Sequence, residues 1–190
     1  MISEEQIIEG VLEGETDLFR LLVERYHERI FILSRGFVHQ IEDAEDVTQE
    51  TFIKAFISLG SFKGRSEFST WLYRIGVNSA YTFLRKKSRK QILSRSELTK
   101  ESIVELMHSN IDDTPQKLLI SKETQEFIYK EIDKLPKRQR EVFILSRVEQ
   151  MSQKKIAEVT NVSVSAVESL IQRAKRNLKE KLISIIDENE

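Results

Sequence analysis

The sequence predicts an all-α fold: two small helical domains joined by a flexible linker. Three observations carry that prediction. Apolar residues recur three and four apart along most of the chain, the spacing that aligns them on one face of a helix. Only six Gly and two Pro occur in 190 residues, and 32% are charged, which suits helices with charged outer faces better than sheets. Residues 91–113 break the pattern: they are polar, weakly periodic, and end in Asp112-Asp113. The expected divisions are a domain over 1–90, a linker over 91–113 and a second domain over 114–190.

Ser3 with Gln6 reads as a capping box that opens a short helix stopping near Gly14. Thr16 and Asp17 can cap a second helix with apolar positions Phe19, Leu22, Val23, Tyr26, Ile30 and Leu33. Gly36 marks its fraying end or a tight contact. A third helix is expected over 42–59, with Ala44, Val47, Thr51, Phe52, Ala55 and Phe56 inward. A loop over 60–66 carries two glycines and two cations. A fourth helix follows from about Phe68 to Lys90, with Phe68, Leu72, Ile75 and Phe83 inward. A short helix fits around 102–108. Thr114-Pro115 and Pro136 read as helix starts, because Pro lacks an N–H that the first turn leaves unpaired anyway.

Near the C-terminus, Ser152 caps a short helix containing Ile156 and a small Ala157 that permits close crossing. Asn161 follows at a turn that needs left-handed backbone, which Asn tolerates. Ser163 or Ser165 caps the next helix, with Val167, Leu170, Ile171, Ala174 and Leu178 inward. This is the spacing of a helix-turn-helix, whose second helix enters the major groove. Its exposed residues would be Ser163, Ser165, Ala166, Glu168, Ser169, Gln172 and Arg173. Gln and Arg make bidentate contacts with adenine and guanine edges. Lys175, Arg176 and Lys179 would face phosphates. The competing reading is an ordinary helical hairpin.

Net charge is −1, so any nucleic-acid contact must rest on local rather than global basicity. The absence of cysteine excludes disulfides and thiol–metal sites. The N-terminus lacks a basic and then apolar leader, and no run of about 18 apolar residues occurs. A cytoplasmic protein without direct membrane insertion is expected. His27, His39 and His108 are scattered, and the loop over 60–66 lacks phosphate-loop spacing. No catalytic residue, metal, cofactor or small-molecule substrate is indicated.

The stretch 41–90 is the most informative. It opens acidic, with Asp43, Asp46, Gln49 and Glu50 on the outer face of the third helix. An aromatic block, FSTWLYRI, follows. The stretch closes on LRKKSRK, and residues 68–96 hold seven Lys or Arg and no Asp or Glu. The acidic stripe reads as a protein-docking face for a partner rich in Arg or Lys. Mere solubility or a cation site are the alternatives. Trp71 reads either as core or as a platform for an unpaired base, with Arg74, Asn78 and Tyr81 on neighbouring faces.

In their order and spacing, DAEDVTQETFIKAF, SFKGRSEFSTWLYRIGVNSAYTFLRKKSR, LPKRQREVFIL and the helix-turn-helix resemble the extracytoplasmic-function sigma factors of bacterial RNA polymerase. The resemblance covers nearly the whole chain. It implies that Asp43, Asp46, Gln49 and Glu50 dock on the polymerase clamp. It implies that the loop carrying Lys63, Arg65, Ser66, Phe68 and Ser69 captures a flipped base of the minus-ten element. Trp71, Arg74, Asn78 and Tyr81 would then melt the promoter, with Arg85, Lys86 and Lys87 along the backbone. The helix over 164–176, with Arg176, would read the minus-thirty-five element. Core polymerase, promoter DNA and an anti-sigma protein able to hold the chain at the inner membrane face are the implied partners. Two positions depart from the family pattern: Glu168 stands where a base is usual, and Leu170 where an Arg is usual. The alternatives are a dimeric helix-turn-helix regulator that needs no polymerase, and a metal-dependent nuclease.

Overall fold

The computed structural model describes residues 2–95, 122–148 and 151–188. Among them every regular element is helical. In chain order these are α1 (Glu4–Leu12), α2 (Phe19–Val38), α3 (Ile41–Ser58), α4 (Phe68–Arg95), α5 (Lys122–Lys134), α6 (Lys137–Leu145), α7 (Gln153–Thr160) and α8 (Val164–Glu188). Short 3-10 turns lie at Thr16–Leu18 and Leu59–Ser61. The expected helix over 102–108 and the start at Thr114-Pro115 fall outside the described residues.

Ser3 caps α1: its hydroxyl accepts from the Gln6 N–H at 3.1 Å, while the Gln6 side chain accepts from the Ser3 N–H at 2.9 Å. Thr16 and Asp17 do not cap α2. A cap residue needs extended backbone, but the chain is already helical at Leu18, with φ −62° and ψ −25°, so α2 starts without a side-chain cap. Gly36 does not end α2, which continues to Val38. α4 likewise runs past Lys90 to Arg95, into the stretch read as linker.

α2, α3 and α4 pack on one another. Leu22, Ile30, Leu33, Phe37, Ala44, Val47, Ala55, Phe68, Leu72 and Ala80 are almost fully buried there. Burying a side chain such as Leu72 contributes about 1.5–3 kcal/mol. Gly76 lets α4 approach α2, since a Cβ at that position would lie 3.0 Å from Leu33 Cδ2. The buried hydroxyls of Ser34, Thr48 and Thr51 donate to carbonyls four residues earlier, at 2.7–2.8 Å. They therefore enter the core without an unpaired donor. Phe56 departs from its inward assignment. It is 41% exposed and meets Phe19 edge-on, at the border of the core.

α5 to α8 enclose Ile132, Leu135, Val142, Leu145, Ile156, Ala157, Val167, Ile171, Ala174 and Leu178. Leu170, read as inward, is only half-buried. α6 begins at Lys137, so Pro136 is its cap residue rather than its first helical one. The Ser152 hydroxyl caps α7 by accepting from Lys155 N–H at 3.2 Å. Asn161 ends α7 in left-handed backbone, φ 54° and ψ 50°. Ser163, not Ser165, then caps α8 by accepting from Ala166 N–H at 3.2 Å. α7 and α8 form the helix-turn-helix pair.

The left-handed turn yields a test. A β-branched residue in that conformation costs about 1–2 kcal/mol. Asn161→Val should lower unfolding stability by that amount in urea denaturation, whereas Asn161→Gly should leave the midpoint nearly unchanged.

Candidate functional site

The α3 face is set by its buried positions. With Ala44, Val47, Thr51 and Ala55 inward, Asp46, Gln49 and Glu50 are exposed. Asp43 is different: it is half-buried and ion-paired with Lys87 of α4. One member of the acidic stripe thus neutralises one member of the basic run. Glu50 pairs with Lys54 at 3.1 Å. Between α3 and α4 lies a groove of about 240 Å³ lined by Asp46, Glu50, Ile53, Phe83 and Lys86 among others. The sequence reading missed Ile53 and Ile57, which are 46% and 76% exposed. They continue the Asp46–Glu50 face at three- and four-residue steps, and that periodicity was the available signal. Large exposed apolar residues grouped on one face are a feature of surfaces that meet partner proteins.

The second face combines the loop before α4 with α4 itself. Lys63 and Arg65 are exposed and Ser66 is half-buried. Gly64 sits at φ +65°, a left-handed bend. Phe68 and Ser69 do not reach the surface. Phe68 is 1% exposed because it shares the core face of α4 with Leu72. Its ring meets Tyr26, Phe62 and Trp71 at 5.6–5.7 Å. The Ser69 hydroxyl donates to the Glu67 carboxylate at 3.2 Å. Trp71 takes an intermediate place: half-buried, with Phe62 and Phe68 tilted against it by 48° and 42°. The core thus braces the indole, and part of it stays open to solvent.

Further along α4, Arg74, Asn78, Arg85, Lys86 and Lys87 are exposed. Arg74 donates to the Glu158 carbonyl of α7 at 2.6 Å. Tyr81 is half-buried, its ring edge-on to Phe37 at 5.2 Å. Burial and the nearby Glu141 carboxylate raise its pKa, so the hydroxyl stays protonated.

The third face is the start of α8. Ser163, Ser165, Glu168, Ser169, Gln172, Arg173 and Arg176 are exposed, and Ala166 is half-buried. Arg176 lies 4.0 Å from Glu180, a loose exposed pair. Glu168, Gln172 and Lys175 also border a cleft of about 360 Å³ with Arg147 and Met151. Among the described residues no three of His, Asp and Glu are placed to hold a metal ion.

Comparisons with known proteins fall on the same segments. Residues 22–90 match Sigma-70 region 2, and residues 127–178 match Sigma-70, region 4. The chain is 34% identical over 187 residues to the RNA polymerase sigma-H factor of Pseudomonas aeruginosa, covering 98% of this chain and 97% of that protein. It is 32% identical over 178 residues to the ECF RNA polymerase sigma factor SigW of Bacillus subtilis, covering 92% and 94%. Among solved structures, CnrH in complex with the cytosolic domain of CnrY gives a TM-score of 0.65 at 26% identity, covering 94% of this chain and 96% of that one. The chain belongs to the extracytoplasmic-function sigma factors of the sigma-70 family.

Proposed function

We propose that this chain is an alternative sigma factor that binds core RNA polymerase, recognises the minus-ten and minus-thirty-five elements and promotes promoter melting. The observation that carries this reading is the presence of three separate surfaces on one chain. These are an acidic and apolar face on α3, a braced aromatic with cations on α4, and an exposed polar start of α8. A helix-turn-helix regulator would need only the last of them, leaving Asp46, Ile53 and Ile57 without a role.

Polymerase docking is assigned to Asp46, Gln49 and Glu50, extended by Ile53 and Ile57. The minus-ten element is assigned to Lys63, Arg65, Ser66, Trp71, Arg74, Asn78, Arg85 and Lys86. Phe68 acts from beneath as the brace for Trp71. The start of α8 is assigned to the minus-thirty-five element, where the Glu168 carboxylate can accept from a cytosine amino group. The role requires no bond-breaking chemistry. Unpairing a base costs a few kcal/mol, and stacking on an aromatic returns about 1–3 kcal/mol per base.

An anti-sigma partner fits the same reading, since the structurally similar CnrH was solved with the cytosolic domain of CnrY. No helix among the described residues is long and apolar enough to cross a membrane.

Run-off transcription with core polymerase and pooled genomic fragments tests the whole assignment. Discrete new starts should appear with the wild-type chain. They should vanish with Asp46→Arg, together with co-elution with core. Absence of starts with the wild-type chain refutes the sigma reading. Trp71→Ala should reduce permanganate reactivity of the melted region more than duplex binding; equal losses would return Trp71 to a purely structural role. Arg173→Ala should relax upstream-element preference by about 1–3 kcal/mol if it reads a base. A uniform loss across sequences would mark it as a phosphate contact.

A further inference from the structure

Arg147, just past the end of α6, and Lys175 of α8 border the cleft of about 360 Å³ that Glu168 and Gln172 also border. The same two cations line a second groove, beside Phe143 and Leu178, so their side chains are neighbours. Both residues are exposed, and neither takes part in an ion pair among the described residues. Arg147 is held in place. Its guanidinium lies 4.8 Å from the ring centroid of Phe143, a residue only 6% exposed. A contact of that kind steadies the head group and leaves its N–H donors free.

Two adjacent cations repel each other until an anion joins them. Under the assigned function, the anion that reaches this surface is a phosphate of the DNA backbone. The planar fork of Arg matches phosphate oxygens, and Lys adds a point charge. Lys175 follows Glu168 by nearly two turns, about 10 Å along the same face of α8. A phosphate seated by Arg147 and Lys175 therefore flanks whatever Glu168 touches.

Glu168 is exposed and enters no hydrogen bond or ion pair among the described residues. Ser165, Ala166 and Ser169 around it are small, so α8 can approach the floor of a groove closely. A carboxylate brought there unaided is repelled by the phosphates on either side. Cations fixed beside it offset that repulsion and leave its oxygens for a base edge. Cytosine presents an amino donor in the major groove, which suits an acceptor-only group. Adenine pairs its amino group with the N7 acceptor, which a carboxylate cannot satisfy but the Gln172 amide can. The step from Glu168 to Gln172 is about 6 Å, close to two base pairs at about 3.4 Å each.

Resting on the assignment of α8 to the minus-thirty-five element, we propose that Arg147 and Lys175 form a phosphate seat, and that this seat makes Glu168 a specificity-determining residue that selects cytosine. Arg147 extends the DNA-contacting surface beyond α8. Glu168 and Gln172 then read a C·G and an A·T pair about two base pairs apart.

The test uses the full chain and a duplex library randomised across the upstream element. The library is selected in two ways: by run-off transcription with core polymerase, and by retention of duplex on the chain alone at low salt. The wild-type chain should enrich cytosine at one position by about tenfold. Glu168→Ala should abolish that preference and leave the other positions unchanged. Arg147→Ala should weaken binding to all sequences alike and lower the slope of log affinity against log salt by about one. The effect of Glu168 should also change sign. With Arg147→Ala and Lys175→Ala already in place, adding Glu168→Ala should raise affinity for every sequence.

Base preferences indifferent to Glu168→Ala would overturn the reader, as would a gain for every sequence alike in the otherwise wild-type chain. A salt slope unmoved by Arg147→Ala would overturn the seat. Transcripts whose upstream preference ignores Glu168 would sink this inference and leave the sigma reading standing. Retained duplexes with a Glu168-dependent cytosine, but no transcripts, would do the reverse. No transcript and no retained duplex would overturn both.

Discussion

Everything in the N-terminal half depends on how α4 is rotated against α2 and α3. Phe68, Leu72, Tyr73 and Ala80 are buried on one side of that helix, and Gly76 brings its backbone against Leu33. Once those positions are committed to the core, a helix of 3.6 residues per turn has no freedom over its other faces. Trp71 must lie at the core edge, and Arg74 and Asn78 must point away from it. Lys86 is turned toward α3, beside the groove that Asp46 and Glu50 line. The apolar core thus acts as the jig that places a polar working surface.

The electrostatics follow the same local logic. A net charge near zero conceals an acidic α3 and a basic end of α4 packed side by side. The Asp43–Lys87 pair shows that part of this opposition is spent inside the molecule. Pairs as exposed as Arg20–Glu24 or Arg176–Glu180 contribute at most about 1 kcal/mol. Asp46 on α3 and Arg85 on α4 stand outside the ion pairs formed among the described residues.

The contact between the two helical sets has a different character from either core. It relies on a carbonyl at Phe37, a carbonyl at Glu158, one buried arginine and one glycine that admits Ile144. Polar seams of this kind separate more readily than apolar cores.

Among the described residues, the amino-acid sequence by itself determined the helices, most of their inner faces, the helix-turn-helix and the family. All of these rest on periodicity, capping chemistry and turn preferences that act within a few residues: Ser3 with Gln6, Ser152 and Asn161 each name a local structure, and Ser163 or Ser165 names the next cap. The exposed start of α8 was legible for the same reason. What lay beyond the sequence were relations between distant residues. Periodicity could not say that Phe68 braces Trp71 from below, because an aromatic on the edge of an apolar stripe can turn either way until its neighbours are in place. It could not pair Asp43 with Lys87, since that outcome depends on which helix lies alongside. Nor could it reveal that Arg74 and Tyr81 face α7 and α6. Tertiary structure decided those points, because burial and pairing across a chain are set by the packing of whole helices and not by the residues that flank each position.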